Sequence, residues 1–417
     1  MEPLRKLRGM WPYLVAMFMN AFVDLGHKII IQNTIFKIYD GHRQVMLTAI
    51  VNSLILLPYI VLFSPAGFIS DRFAKNRVMY VSAWIAVCIT LLITLCYYLG
   101  WFWPAFALTL ALGAQAAIYS PAKYGYLKPL VGAERLVAGN SIVQTVTIVA
   151  ILAGTFVFSI FFEQRFARLG GDSEAHVLRA IAPLGWLLVI NSAIELYCTY
   201  RLPQFEAGVR EMRFEWKNYF RGSFTLEDPS PRHDRAVIRL SIIGLAVFWS
   251  VSQVMLAAFP AFAKEALGIR NTVLLQGMLA TSGIGIVIGS FIAARWSRQR
   301  IEKRLIPIGA VGVVLGLLLL PMLPSIAAQC ANFLFIGVMG SLFIVPLNAL
   351  MQFHAGAAEM GRVLAVNNLI QNIAMFAFLV ITALAAVSGI ETVLLLWLIA
   401  AVALFGNGYT LVKLRQF

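Results

Sequence analysis

Apolar runs of membrane-spanning length alternate with short charged clusters and Gly/Pro breaks from one end of the chain to the other. A helix of about 20 apolar residues crosses the hydrocarbon core of a bilayer. The runs predict twelve such helices, at 11–35, 44–69, 78–99, 104–121, 138–162, 180–200, 237–262, 273–294, 305–323, 326–350, 362–386 and 391–412. Polar residues interrupt the first and the fourth. The first run follows Arg5, Lys6 and Arg8, as a secretory leader does, but it is long, carries charges and lacks a small-residue cleavage pattern. It reads as the first membrane helix.

Composition agrees with this pattern. The 417 residues are 60% hydrophobic and 12% charged, against roughly 25% charged in soluble domains. A formal net charge of +14 raises the question of nucleic acid, and the placement of the charges answers it. Most Lys and Arg fall at the chain start, at the chain end and in the alternate connections on the same side, while the opposite connections hold few. This is the positive-inside distribution with both termini cytoplasmic, so the basic charge sets topology and no nucleic-acid partner is expected. Cys88, Cys96, Cys198 and Cys330 are scattered through apolar helices without metal or disulfide spacing. No metal or cofactor is expected.

The longest connection, 201–236, divides the chain into an N-terminal six-helix half, 1–200, and a C-terminal one, 237–417. Within it, VREMRFEWKNYF places Val209, Met212, Trp216 and Phe220 three to four residues apart, with Arg210, Arg213 and Lys217 largely elsewhere around the helix. That is the pattern of a helix lying in the membrane interface. A weak repeat supports the division: Pro121, Asn140 and Gln144 recur as Pro346, Asn367 and Gln371 at nearly constant spacing, as in duplicated transporter halves.

The loop GFISDRFAKNRV, Gly67 to Val78, carries Gly67, Asp71, Arg72, Lys75 and Arg77. It resembles the loop signature of the major facilitator superfamily, in which an acidic group at a helix end among basic groups clamps one gated conformation and releases it in another. The corresponding loop ARWSRQR keeps Arg295, Arg298 and Arg300 without an acid. The fold class expected is therefore an all-α membrane protein with a major facilitator fold, twelve transmembrane helices in two six-helix halves.

One helix breaks the apolar rule. Asn20, Asp24, His27, Lys28 and Ile31 recur at i, i+4, i+7, i+8 and i+11 in the first run, which lays them along one face. A charge at the bilayer centre costs roughly 2.5–3.5 kcal/mol, so the stripe faces the bundle interior or a wet cavity. Two readings stand. Asp24 and Lys28 form a self-neutralising i,i+4 pair, or they bind a substrate of mixed charge, Lys28 toward an anion and Asp24 toward a cation. Uncharged amides complete the candidate lining: Gln115, Asn140 and Gln144 from the first half, and Gln253, Asn348, Gln352, Asn367, Asn368, Gln371 and Asn372 from the second. Taken singly, such amides serve as interhelical hydrogen bonds.

AAIYSPAKYGYLKPLVG (Ala116 to Gly132), FAKNRVM (Phe73 to Met79) and FIVPLNALMQ (Phe343 to Gln352) narrow the family. They resemble the lysophospholipid transporter (LplT) family over nearly the whole chain. Tyr119, Ser120, Pro121, Lys123 and Tyr124 form its most specific motif. NAFVDLGHKIIIQNTIFKIYDG is further similar to the membrane domain fused in some bacteria to acyltransferase and acyl-ACP synthetase domains. The resemblance implies a flippase that carries lysophospholipids, chiefly lysophosphatidylethanolamine, from the outer to the inner leaflet of the bacterial inner membrane for re-acylation. The partners it implies are membrane lipids and an acyltransferase/acyl-ACP synthetase, on a separate chain or a fused domain. Asp24 matches the acidic first-helix position of the family. One departure is a seventh-helix basic position after the Phe-Trp pair: aligned on Phe248-Trp249, it is Leu256 here, which leaves the phosphate to Lys28. A proton-coupled exporter of drugs or siderophores, with Asp24 and His27 as proton carriers, is the competing expectation. An enzyme finds no support, since no nucleophile elbow or paired catalytic carboxylates occur, and Glu195 stands alone in the sixth helix.

Overall fold

The computed structural model describes residues 7–132, 136–205, 232–297, 301–355 and 360–414; the interfacial helix expected within 201–236 lies outside them. Among these residues the chain is helical throughout, and eleven helices are long and apolar enough to cross a membrane. A twelfth span is broken into Glu174–Ile181 and Leu184–Tyr200, bent by 55° at Pro183, which has no N–H to continue the ladder. The expected twelve-span, all-helical class is borne out. We label the helices α1 (Met10–Ile38), α2 (Gly41–Val61), α3 (Phe63–Arg72), α4 (Lys75–Leu99), α5 (Phe102–Val131), α6 (Leu136–Leu169), α7 (Glu174–Ile181), α8 (Leu184–Tyr200), α9 (Arg232–Ala266), α10 (Thr272–Trp296), α11 (Leu305–Leu319), α12 (Ile326–His354), α13 (Met360–Val387) and α14 (Thr392–Leu414).

Two boundaries differ from the apolar pattern. The second run is split at Leu62 into α2 and α3. The fourth run does not stop at Pro121; α5 continues ten residues further, to Val131, with Pro121 and Pro129 inside it. A proline removes one ladder hydrogen bond, which packed neighbours make tolerable in a membrane helix. The YSPAKYG segment is therefore helical, with Tyr119 and Ala122 buried against neighbouring helices and Tyr124 exposed.

The chain forms two compact units, Met1–Ile38 with Leu57–Lys217, and Tyr39–Leu56 with Asn218–Phe417. This departs from a cut at the 201–236 connection in one place, because the first part of α2 belongs with the second unit. Lys264 on α9 pairs with Asp40 at 2.7 Å and donates to the Tyr39 carbonyl at 3.0 Å, while Ala49 packs with Ala257 and Leu379.

In the first unit α1 packs on α5, α6 and α8, and α4 on α5 and α8. A tyrosine-rich core joins α1 to α5: Tyr13, Tyr119 and Tyr126 are buried together with Met10, Met17, Leu127 and Cys198. The Tyr13 hydroxyl donates to the Lys123 carbonyl at 2.8 Å, and that of Tyr126 to the Pro203 carbonyl at 2.8 Å. The outward face of α4 carries Val81, Trp84, Leu91, Leu92 and Leu95, all exposed; a ridge this apolar is at home only in hydrocarbon. In the second unit α9 packs on α12, α13 and α14, and α12 on α10 and α11. The tightest crossing is α10 on α12, where Gly285 and Gly337 face each other so closely that a Cβ on either would strike the opposite backbone. Ser290 and Ser341 share a hydrogen bond at 2.7 Å beside them, the small-residue-plus-hydroxyl contact of membrane helices.

Candidate substrate site

The charged stripe of α1 divides into three parts once its neighbours are in place. His27, at one edge, is fully buried. Its Nδ1 lies 2.7 Å from the Tyr97 hydroxyl of α4, and its Nε2 lies 3.1 Å from the Ala105 carbonyl and 3.2 Å from Thr109 Oγ1 of α5. Both ring nitrogens are occupied by protein, and His27 joins α1 to α4 and α5 rather than facing a ligand. This corrects its placement among the substrate contacts and as a proton carrier.

Asp24 and Lys28, by contrast, are half-buried. The cation whose charge acts on Asp24 is Lys123, while Lys28 has no carboxylate partner among the described residues. The self-neutralising Asp24–Lys28 pair is therefore not formed. Lys123 is the lysine of YSPAKYG. Its ammonium donates to Asn20 Oδ1 at 3.3 Å and stands 5.9 Å from the ring centre of Tyr119 and 5.3 Å from that of Tyr124. The Lys123 side chain is held by aromatic faces and one amide, which position a cation without neutralising it.

Two further groups complete the cluster. Tyr59, on the part of α2 that belongs to this unit, lies near Asp24 and Tyr124. Glu195 of α8 is not alone: it is fully buried and faces Tyr119, Asn20, Lys123 and Asp24. Neither of its oxygens has a hydrogen bond of acceptable geometry, and the Tyr119 hydroxyl likewise lacks one. The first unit thus assembles two carboxylates, one cage-held ammonium and a second, unpaired ammonium along α1, α5 and α8. An arrangement of separated, incompletely neutralised opposite charges is suited to a zwitterion. Among the described residues no three His, Cys, Asp or Glu converge as a metal site.

The remaining candidates separate by partner. Gln115 is buried and donates to the Ser82 carbonyl at 3.1 Å, an interhelical strut. Gln144 is exposed on α6, and the side chain of Asn140 is outside the described positions. In the second unit Asn348 donates to its own helix at Ile344 at 3.0 Å, and Gln371 to Asn367 at 2.7 Å. Gln253 and Asn372 are half-buried, and Gln352 and Asn368 exposed. In the loop after α3, Lys75 donates to the Ser70 carbonyl at 3.2 Å with its stem against Gly125. Arg72 lies near the Phe68 ring, and Gly67 has open space around it. Asp71 and Arg77 are exposed, and Asp71 makes no ion pair among the described residues.

Comparison with known proteins fixes what carries this cluster. A family model for the Major Facilitator Superfamily matches residues 13–379. The lysophospholipid transporter LplT of Photorhabdus laumondii is 31% identical over 396 residues, 93% of this chain and 90% of that protein. The LplT protein of Serratia proteamaculans is 30% identical over 385 residues, 91% and 88% of the two chains. The chain belongs to the LplT family of the major facilitator superfamily. Among solved structures, a POT family transporter in complex with 5-aminolevulinic acid superposes with a TM-score of 0.72 at 14% identity, covering 97% of this chain and 96% of that one; this is a likeness of fold alone.

Within an LplT-family chain, the structure gives the YSPAKYG lysine a place that spacing did not. The sequence separates Lys123 from Asp24 by a whole helical hairpin, and the proline beside it reads as a helix end. A signal for Glu195 did exist, since an acid in an otherwise apolar span must find a partner or a task.

Proposed function

We propose that this LplT-family protein is a lysophospholipid transporter of the bacterial inner membrane that moves lysophosphatidylethanolamine from the outer to the inner leaflet for re-acylation. The two LplT relatives compared above are named for lysophospholipid transport and match about nine-tenths of its length. The observation that supports the headgroup assignment is that the cation acting on Asp24 is Lys123 of α5, held against Asn20 at 3.3 Å, rather than Lys28 of its own helix. A lysophosphatidylethanolamine headgroup has an anionic phosphate and a cationic amine. Lys123 and the unpaired Lys28 attract the phosphate, Asp24 attracts the amine, and Asn20 and Tyr119 fix the Lys123 side chain. With Leu256 at the seventh-helix basic position of the family, the cations on α1 and α5 take the phosphate. The protein performs no chemistry on the lipid; re-acylation falls to an acyltransferase/acyl-ACP synthetase partner.

Both termini and the 201–236 connection are cytoplasmic in this reading, as the distribution of Lys and Arg favours. Single-cysteine labelling from each side of the membrane tests it, and labelling at Arg221→Cys from the periplasm would overturn it. The function itself is tested by reconstituting the full chain into vesicles bearing labelled lysophosphatidylethanolamine in one leaflet. Protein-dependent transfer of the lysolipid, with no transfer of the diacyl lipid or of a soluble amphiphile, is the expected result. Transfer of the soluble amphiphile alone would favour the exporter reading.

A further inference from the structure

Two cations of the connection between α10 and α11 stand over a cavity, where their role as topology anchors would need them only in solvent. A cleft of about 420 Å³ lies at the start of α11, with walls from four helices of the second unit. Val237 of α9, Ile306 of α11, Leu350 of α12 and Leu411 of α14 line it. The first three are each 3% exposed or less, so the cleft reaches in among packed helices. Lys303 and Arg304, both exposed, complete the lining, and no acid belongs to it. The nearest acid to Arg304 is Glu302, with Nε and Oε1 4.0 Å apart, at the outer limit of an ion pair. Lys303 makes no ion pair among the described residues. The helices that bound the cleft turn Ile308, Val311 and Leu315 of α11 and Phe405 and Val412 of α14 outward. Faces this apolar belong in hydrocarbon, so a bilayer lipid has direct access to the cleft.

Apolar walls under a cationic rim complement an acyl chain below a negative headgroup. We propose that this cleft binds an anionic diacyl phospholipid, such as phosphatidylglycerol, from the leaflet it faces. Lys303 and Arg304 hold the phosphate, and part of one acyl chain lies against Val237, Ile306, Leu350 and Leu411. The site differs in chemistry from the cluster on α1 and α5. There Asp24 answers the amine of a zwitterion, whereas the cleft offers no carboxylate and leaves such an amine without a partner. Each Lys or Arg near a headgroup favours the anionic lipid by about fivefold, so the pair favours it by about ten- to thirtyfold. A lipid seated here touches α9, α11, α12 and α14 at once and stabilises their packing by mass action. Only the identity of that leaflet, the cytoplasmic one, rests on the topology proposed above.

Native mass spectrometry of the full chain in detergent, titrated with phosphatidylglycerol or with phosphatidylethanolamine of the same acyl chains, tests the site. Wild type should bind the first phosphatidylglycerol more tightly than the first phosphatidylethanolamine by about ten- to thirtyfold. Lys303→Gln with Arg304→Gln should bring the two lipids to within about twofold of each other, and Lys303→Arg should keep the preference. Arg239→Gln with Lys413→Gln removes the same charge from exposed positions of α9 and α14 outside the lining, and it should keep the preference too. Leu411→Trp fills the cleft and should weaken the first phosphatidylglycerol; should it fail to fold, the exposed Lys303 and Arg304 variants decide. Wild type without a preference, or the Lys303 and Arg304 double variant with the wild-type preference, overturns the proposal. An equal loss in the Arg239 and Lys413 variant would reduce the effect to diffuse surface charge and overturn it as well. Free glycerol phosphate in large excess should leave the lipid bound, and displacement by it would make the cleft a soluble-anion site and overturn the lipid assignment. None of these readouts depends on which leaflet the cleft faces, so a failure of the topology, read by cysteine labelling, stays distinguishable.

Discussion

The Lys123 ammonium donates to Asn20 at 3.3 Å, which brings the lysine of YSPAKYG against the charged stripe of the first helix. This contact changes the electrostatic meaning of that stripe. Lys28, the neighbour one turn along α1, leaves Asp24 unpaired, and the counter-charge arrives from another helix instead. A ligand that draws either charge to itself changes the influence between the two helices without disturbing the backbone of either one.

His27 is the stripe residue expected to act on folding. Tyr97→Phe removes the hydroxyl from His27 Nδ1 in a fully buried place, and an unsatisfied buried polar atom costs about 1–3 kcal/mol. Thermal unfolding in detergent should shift down accordingly, while lysolipid affinity of the folded protein stays at the wild-type level. Unchanged stability with lost binding would return His27 to the site.

The α10–α12 crossing predicts a second structural effect. A Cβ at Gly337 would strike the backbone around Ser282 and Gly285, and separating two packed helices costs about 1–3 kcal/mol. Gly337→Ala should lower the unfolding temperature, and Gly337→Leu should abolish the folded monomer peak on size-exclusion chromatography. Gly408, with open space around it, serves as the control and should tolerate Ala.

How much of this was readable beforehand follows from what the membrane imposes. Span positions are legible because bilayer thickness sets the length of every apolar run, and the stripe of α1 is legible because a charge in such a run must face inward. The partners of that stripe are not, because they lie far off along the chain: Lys123 and Glu195 meet Asn20 and Asp24 only through the packing of α1, α5 and α8. Pro121 misleads for a local reason, since it reads as a stop in a water-soluble helix and is only an interruption in α5. The grouping of Tyr39–Leu56 with the second unit is likewise invisible in hydropathy, because it is made by contacts between residues far apart in sequence, such as Ala49 with Ala257 and Leu379 and Asp40 with Lys264.

Asp71 offers a separation of gating from folding. Exposed and without an ion pair among the described residues, it carries no stability in this conformation, and Asp71→Asn should change the unfolding free energy by no more than about 0.5 kcal/mol. If it clamps another conformation of the cycle, lysolipid transfer in vesicles should fall several-fold with expression unchanged. Full transfer by Asp71→Asn would reduce the Gly67–Arg77 loop to a topology anchor.

The last prediction concerns which lysine belongs to Asp24, and double-mutant cycles answer it. Asp24→Asn and Lys123→Gln each remove one charge that the headgroup is proposed to engage, so each should weaken lysophosphatidylethanolamine binding by about 1–3 kcal/mol. Because the two groups act on one another, their double variant should deviate from additivity by about 0.5–3 kcal/mol. Lys28 has no carboxylate partner among the described residues, so Asp24→Asn with Lys28→Gln should add to within about 0.5 kcal/mol. The headgroup gives a second readout. Loss of Asp24 should erase the preference for a lysolipid with an amine over one without, since the amine is its ligand. Loss of Lys123 should weaken both lysolipids alike, since both carry the phosphate. A double Asp24→Asn, Lys28→Gln variant that regains wild-type transfer would mean that these two residues neutralise each other during transport, and the assignment of Asp24 to the amine would fall.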